Sequence, residues 1–513
     1  MSSATRNLHG PVLSIAFWTG LSRVAALLRD TVLSHLFGAN HLTDAFLAAF
    51  FVPDTFRTLV AESGLSPAII PALVAARRKP DLADASRLLG VLLGWLPLLA
   101  AAVTLAGVLL APVLMRWLTP GFAADPQVLD SAVSALRTML PYLVLSSAIA
   151  PLIATLQVDG RFGIAASTSL VFNCVHIVAI MTLAMWTRPA SLGLSLGVLL
   201  GGLAQLLLLG AVLLPSGGLP RPSLGSHPAL GGILAALAPV AAALAGYQLS
   251  VLVLPIFASR LGEAAVSQIY YADRFARLPT GLIGVAVATA ALPRFAAADQ
   301  DGGREGLAAH LRESLRLSHR ISIPAAIGLA ALSEPIVAGL LQHGRFGVEA
   351  TIPTARAICG FCVGLVAISD IRVVCQVFFA LGRRREPMLL SVAAVAITAA
   401  LSGPLAHRLG VAGLALSVSL AAWAQLIVLL ACMRRLDIGW RPWEMVLCAG
   451  RDLLAALLMA VAAVAVARLG RWQQGTTAVN ILILLGAVGT GCVVYSGLQA
   501  LAVWRFVKGF RPQ

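Results

Sequence analysis

The sequence predicts an all-α polytopic membrane protein of about 14 transmembrane helices, in two pseudo-symmetric six-helix halves around a central cavity, with two extra C-terminal helices. Three observations carry that expectation. The 513 residues are 59% hydrophobic and only 12% charged, with a mean hydropathy of +0.90, a balance that excludes ordinary water-soluble domains. Apolar runs long enough to span a bilayer recur along the whole chain, each cut by a cluster of Pro, Gly or charge. A weak internal repeat relates the first six runs to the next six.

In order, the runs cover approximately residues 11–36, 41–76, 88–118, 128–157, 162–186, 191–214, 229–259, 263–298, 314–342, 350–381, 387–408, 411–433, 447–468 and 478–506. The first follows MSSATRNLHG, continues well past signal-peptide length with charges inside it, and has no A-x-A site at its end. It is expected to stay on the protein as the first span. The second, eighth and tenth are long enough to tilt, kink or project beyond the bilayer. Between the sixth and seventh lies PSGGLPRPSLGSHP, residues 215–228, which has the composition of a linker. The organisation expected is therefore an N-terminal half at 1–220, a C-terminal half at 221–440, and two further helices with a tail at 441–513.

The repeat rests on residues at matched offsets. Pro71 in IIPALVAA corresponds to Pro293 in ALPRFAAA, and Gly160-Arg161 to Gly382-Arg383, at a separation of about 222 residues. Phe37-Gly38 stands opposite Leu261-Gly262 at nearly the same offset. An even number of spans per copy keeps both copies in one orientation, so the axis relating them runs along the membrane normal.

The chain carries 37 Lys+Arg against 22 Asp+Glu, a net charge of +15. Nucleic-acid binding is not expected: Lys79 and Lys508 are its lysines, aromatics are 6%, and no glycine-flanked aromatic motif offers a stacking platform. The basic residues instead set topology. An inside N-terminus places about 22 of them in cytoplasmic segments, about 9 on the other side and about 6 within spans. The clusters are Arg77-Arg78-Lys79, Arg304 to Arg320, Arg383-Arg384-Arg385, Arg434-Arg435 and the tail with Arg505, Lys508 and Arg511. Both termini are expected to be cytoplasmic.

Catalytic chemistry finds no footing. There is no D-D-x-x-D, H-E-x-x-H, G-x-S-x-G or P-loop, and His35, His41, His176, His319, His343 and His407 are scattered, as interfacial histidines are. Cys174, Cys359, Cys362, Cys375, Cys432, Cys448 and Cys492 all sit in apolar runs and read as buried small hydrophobes. The Cys359/Cys362 C-x-x-C lacks a second pair or a nearby histidine, so no metal site is expected. No cofactor is expected either. Energy must come from an ion gradient, the membrane potential or the substrate gradient, with the ion left open.

The most informative residues are ionisable groups inside apolar runs, where each costs a few kcal/mol or more unless it lines a cavity or finds a partner. Arg23 and Arg29 lie in SRVAALLRD, Arg57 in VPDTFRTLVAESGLSP, Arg274 and Arg277 in YYADRFARLP, and Arg372 in ISDIRVV. Asp30, Asp44, Asp54, Glu62, Asp273 and Asp370 accompany them. Helical spacing lets Asp54 bridge Arg57 and Asp273 bridge Arg277 on their own helices. No acid stands three or four residues from Arg23, Arg29 or Arg274. If the halves face one cavity, these arginines gather near one end of it and form an anion site, because guanidinium forks match phosphate oxygens bidentately. The plainer alternative is interhelical salt bridging with Asp44, Glu62 or Asp30. Gly64, Pro67, Pro279, Gly281 and Gly284 interrupt the second and eighth runs, as hinges or as sites of close helix packing.

SRVAALLRD at 22–30, FGANHLTDAF at 37–46, the stretch from Pro53 to Glu62, YYADR at 270–274 with LPTGLIGVAVATAALP after it, and LQHGRF at 341–346 resemble the bacterial lipid II flippase family, MurJ or MviN. The resemblance runs through both six-helix halves. It implies a member of the superfamily of multidrug exporters and oligosaccharide-lipid flippases in the bacterial inner membrane. It also implies a substrate, lipid II, carried from the inner to the outer leaflet by alternating access. Residue by residue, the family's cavity arginines fall on Arg23, Arg29, Arg57 and Arg274 and its acidic positions on Asp44 and Glu62, while segments 447–468 and 478–506 would form a groove for the lipid tail. Membrane lipids, and other cell-wall synthesis or division proteins, are the remaining partners implied, for a chain acting as a monomer. Departures are Thr58 after Arg57, Arg277 where an acid is frequent, and Ala165 and Ser169 where prolines are usual. Segments 387–408 and 411–433 contain no carboxylate, which leaves a carboxylate cation site there without its ligand. Rival readings are a flippase for another lipid-linked oligosaccharide, a multidrug or cation antiporter of the same architecture, which would want more intramembrane acid, and a glycosyltransferase, which would want an acid cluster with metal.

Overall fold

In a bilayer interior each backbone N–H and C=O must find its partner within the protein, and the α-helix is the local solution. A computed structural model describes residues 9–58, 65–78, 83–215, 219–235, 246–279, 303–383, 385–434 and 442–509, and among these there are helices and short 3-10 turns but no strand. The helices are α1 (His9–Phe37), α2 (His41–Arg57), α3 (Leu65–Arg77), α4 (Ala83–Leu118), α5 (Pro126–Met139), α6 (Tyr142–Val158), α7 (Phe162–Met181), α8 (Leu183–Trp186) and α9 (Ala190–Leu213). After them come α10 (Gly246–Ala258), α11 (265–279), α12 (Gly303–Ala331), α13 (Ser333–Leu340), α14 (Val348–Ala380), α15 (Arg385–Leu409), α16 (Val411–Arg434), α17 (Pro442–Ala467) and α18 (Ala478–Gly509).

Among the described residues 9 helical stretches are long and apolar enough to cross a membrane, or up to 10 if α12 and α13 count as one bent span. The runs at 128–157 and 162–186 are each one span, Pro126–Val158 and Phe162–Trp186, with a turn between α5 and α6 at Leu140 and Pro141 and one between α7 and α8 at Thr182. The run read at 314–342 as a single span is instead bent by 68° between α12 and α13. Proline explains the first turn and the bend: Pro141 has no N–H for the carbonyl of Arg137, and Pro335 none for Ala331. Gly64, Gly281, Gly284 and Pro293 lie outside the described residues.

The chain divides into two compact units, Met1–Leu33 with Ala39–Ser267 and Ser34–Gly38 with Gln268–Gln513. In the first, α3, α4 and α6 pack around Ile69, Leu88, Leu92 and Ala154, and α4, α6, α7 and α9 around Leu89, Leu152, Ala165 and Leu209. Residues 220–227 of the stretch with linker composition lie along α4. Ser223 donates its N–H to the Gly90 carbonyl (2.9 Å), the Trp95 indole donates to the Gly225 carbonyl (3.1 Å), and His227 meets Asp84 (3.3 Å).

In the second unit, α12, α17 and α18 meet at Leu332, Ala463, Ala467 and Ala487, and α14 lies close against α16. Transfer of apolar side chains from lipid to protein gains little, so helices in a membrane associate by close approach through small residues. Gly360 and Gly364 on α14 face Ala415 and Ser419 on α16: a Cβ added at Gly364 would stand 2.6 Å from Ser419 Cα. The Ser419 hydroxyl donates to the Gly360 carbonyl (2.6 Å). At the end of α1 the ring of His35 stacks on His343, with centroids 4.6 Å apart.

The internal repeat has a local structural counterpart. Gly160 and Gly382 both hold a left-handed φ, +73° and +71°. The following residue closes each helix in the same way, Arg161 N–H to the Leu156 carbonyl and Arg383 N–H to the Phe378 carbonyl, both at 2.8 Å. These are matching Schellman closures. Cys362 and Cys375 are buried, but Cys174 and Cys492 are exposed, which corrects the expectation that all the cysteines are buried.

Gly364→Leu should cost roughly 1–3 kcal/mol through overpacking and lower the thermal transition of the detergent-solubilised protein. Gly489→Leu, where nothing lies within 4 Å of an added Cβ, should leave it in place; equal shifts would contradict the packing argument.

Candidate anion-binding arginines

Arg29 lies in the C-terminal third of α1 with its side chain 5% exposed. Its Nε and Nη2 both donate to Asp30 Oδ1, at 3.0 and 2.6 Å, and Nη1 donates to Asn173 Oδ1 on α7 at 3.2 Å. Its guanidinium also lies 5.8 Å from the centroid of the Phe50 ring on α2. The amide nitrogen of Asn173 donates in turn to the carbonyls of Ser169 (2.9 Å) and Ser22 (3.4 Å). Helical spacing alone pointed to no acid for Arg29; its sequence neighbour supplies one, because the long arginine stem curls back over its own helix. Arg23, on the same helix, is half-buried.

One turn beyond Asn173, His176 is fully enclosed by Phe46, Phe50 and Phe172, with ring centroids 6.3, 6.4 and 5.8 Å away. This overturns its expected interfacial place. It completes an aromatic wall beside Arg29.

Arg57 closes α2 and donates to Asp54 Oδ1 at 3.0 Å, as the three-residue spacing predicts; its side chain is 24% exposed. Thr58, in place of a second arginine, donates its hydroxyl to the Asp54 carbonyl (2.9 Å). Gln248 on α10 donates to Thr55 Oγ1 (3.2 Å). At the other end of α2, Asn40 caps the helix with Thr43 in a capping box, which places Asp44 in the first turn. Its Oδ1 accepts the backbone N–H of Ser267 (2.8 Å) and the Ser267 hydroxyl. That carboxylate therefore anchors the first turn of α11, where exposed N–H groups favour a negative charge.

The second unit contains Arg274. It donates from Nη2 to the hydroxyl of Tyr270 (2.8 Å), and its guanidinium stands 4.7 Å from the centroid of the same ring. Arg277 donates to Asp273, four residues earlier. Glu62 lies outside the described residues. Asn173 and Tyr270 were missed from the sequence, although each left a trace: an amide inside the apolar run FNCVH, and a tyrosine one helical turn before Arg274.

A guanidinium braced along one edge stays charged and oriented, which is what bidentate capture of phosphate oxygens requires. Among the described residues no group of three His, Cys, Asp or Glu is placed to hold a metal ion.

The fold is that of a polytopic transporter. A solved lipid II flippase MurJ in an inward closed conformation superposes with a TM-score of 0.77 at 18% identity, over 96% of this chain and 99% of that one. An inward-facing multidrug resistance MATE family transporter of the MOP superfamily gives 0.67, also at 18%, over 83% and 99%. In sequence, the lipid II flippase MurJ of Burkholderia cenocepacia is 30% identical over 466 residues, 88% of this chain and 90% of the relative. The probable lipid II flippase MurJ of Vibrio cholerae is 27% identical over 498 residues, 95% and 94% of the two. The family defined as lipid II flippase MurJ matches residues 33–487. The chain belongs to the lipid II flippase MurJ family, and it is a multi-pass protein of the bacterial inner membrane.

Asp30→Ala removes the carboxylate from a buried guanidinium and should cost about 3–5 kcal/mol of stability. Asp54→Ala, at the more exposed pair, should cost about 1 kcal/mol or less. Chemical denaturation of both variants in detergent checks the ordering, and a reversed order would contradict it.

Proposed function

We propose that the chain translocates lipid II, the undecaprenyl-pyrophosphate-linked precursor of peptidoglycan, from the inner to the outer leaflet by alternating access, with the pyrophosphate held by Arg23, Arg29, Arg57 and Arg274. The observation that carries this reading is the set of guanidiniums on apolar helices, those of Arg29, Arg57 and Arg274 braced by neighbouring side chains, in a chain whose family match runs from 33 to 487. A pyrophosphate needs several cationic donors to leave water, and arginine supplies them in planar pairs. Asp44 serves by fixing the start of α11, and Glu62 acts with the arginines at the positions the family resemblance gives it. The undecaprenyl tail stays in lipid along α17 and α18. These offer it outward-facing apolar side chains such as Leu454, Val461, Leu482 and Leu485, 62–69% exposed.

The arginine clusters support an orientation with both termini in the cytoplasm, and transport draws on an ion gradient or the membrane potential. A reporter active only outside the cytoplasm and fused after Gln513 should remain silent; activity there would reverse the orientation.

Arg274→Ala tests the substrate assignment best, because Arg29→Ala would also strand the buried Asp30. Loss of one charge-assisted contact worth about 1.5–3 kcal/mol corresponds to roughly a 10- to 100-fold slower translocation of lipid II into the outer leaflet of proteoliposomes. Wild-type rates at normal expression would sink the assignment, and movement of a different lipid-linked oligosaccharide with none of lipid II would replace the substrate.

A further inference from the structure

The second unit contains a buried cluster of ionisable groups that the pyrophosphate site does not use. His319 on α12 and Asp370 on α14 are 6% and 4% exposed. The imidazole Nε2 lies 2.7 Å from Asp370 Oδ2, while the neighbouring Ser318 hydroxyl donates to Oδ1 at 2.9 Å. A second buried acid, Asp452 on α17, also acts on His319 electrostatically. Asp452 accepts from Gln499 Nε2 on α18 (2.7 Å). The same nitrogen reaches the Tyr495 hydroxyl (3.1 Å), and Arg451 donates to the Gln499 amide oxygen (3.2 Å). The charged and titratable groups around the pair are thus Asp370 from α14, Asp452 and Arg451 from α17, Tyr495 from α18 and Arg320 on α12 itself.

The cluster adjoins a point where the helix lacks one of its own backbone hydrogen bonds. Pro324 lies inside α12 and has no N–H for the carbonyl of Arg320. The Tyr495 hydroxyl takes that place, donating to the Arg320 carbonyl at 3.0 Å. His319 immediately precedes the residue whose carbonyl the proline releases, so a change of charge at His319 acts where α12 lacks a backbone hydrogen bond of its own.

We propose that His319 and Asp370 form a proton-binding site through which translocation responds to a proton gradient. Both oxygens of Asp370 already accept hydrogen bonds, which suits a proton on the imidazole and leaves little for a hard cation that needs several oxygens at once. Gain or loss of a proton at His319 changes by one the net charge of a cluster that also holds Asp370, Asp452, Arg320 and Arg451, in an apolar setting where unbalanced charge is costly. A conformational change that alters this balance must, by linkage, alter proton affinity, and a proton gradient then biases the change. The coupling half of this proposal rests on the flippase reading above; the proton site does not.

Two measurements decide it. An infrared titration of the purified full chain without lipid II, over about pH 5 to 8, should show an imidazole transition that His319→Gln removes and Asp370→Asn alters. An unchanged difference spectrum in His319→Gln, which keeps an N–H donor for Asp370, overturns the site even if Asp370→Asn fails to fold. In proteoliposomes with labelled lipid II and the potential clamped by potassium and valinomycin, a pH gradient should change the wild-type rate roughly fivefold or more. His319→Gln should lose that response. An equal response in both proteins, a wild-type rate indifferent to the gradient, or a response to sodium in its place overturns the coupling. If the wild type moves no lipid II under any gradient, the flippase reading fails, and the infrared titration alone then decides the proton site.

Discussion

Charge inside an apolar solvent must be compensated within reach of the side chain that carries it, and that requirement organises the helices of this protein beyond their individual formation. Arg29 takes Asp30 as its counter-ion and still needs an acceptor for Nη1, which brings Asn173 of α7 to α1. The amide of Asn173 must then be satisfied itself, and it reaches back to the Ser22 carbonyl on α1. A single buried cation thus fixes the register of two helices far apart in sequence. Asp44 does the same for α2 and α11 through Ser267, and Asp370 for α14 and α12 through Ser318 and His319.

Apolar contact cannot do this alone, because lipid tails solvate leucine as well as a protein core does. Specificity comes from shape and from displaced backbone bonds. The α14 to α16 seam illustrates shape: small residues four apart on both helices let the backbones approach until the Ser419 hydroxyl bonds a main-chain carbonyl. Pro324 illustrates the second case, where a carbonyl left by proline acquires a tyrosine from another helix.

What could be read from the sequence follows the range of the interaction. Spans, the Asp54–Arg57 and Asp273–Arg277 bridges and the paired glycine closures at Gly160 and Gly382 depend on residues within a turn or two, and periodicity exposes them. The Arg29–Asp30 pair was hidden because adjacent residues point to different faces of a helix, and only the length of the arginine side chain allows the contact. His176 and His319 were hidden more deeply, since their surroundings come from α2 and from α14 and α17. The proline-rich stretch near residue 220 bonds to α4 through Ser223 and Gly225, and nothing in its own residues announces those partners.

The ion pairs also bear on how the proposed substrate would be held. A guanidinium already engaged by a carboxylate binds phosphate only by sharing or exchanging that partner, so net affinity is the difference between two strong interactions. That difference suits a carrier, which must release on one side of the membrane what it captures on the other. Bare arginines in a dry cavity would hold a pyrophosphate too tightly to let it go. In the proposed site Asp30 and Asp54, which at first sight weaken the case for anion binding by neutralising Arg29 and Arg57, would keep those arginines positioned and limit how firmly they grip.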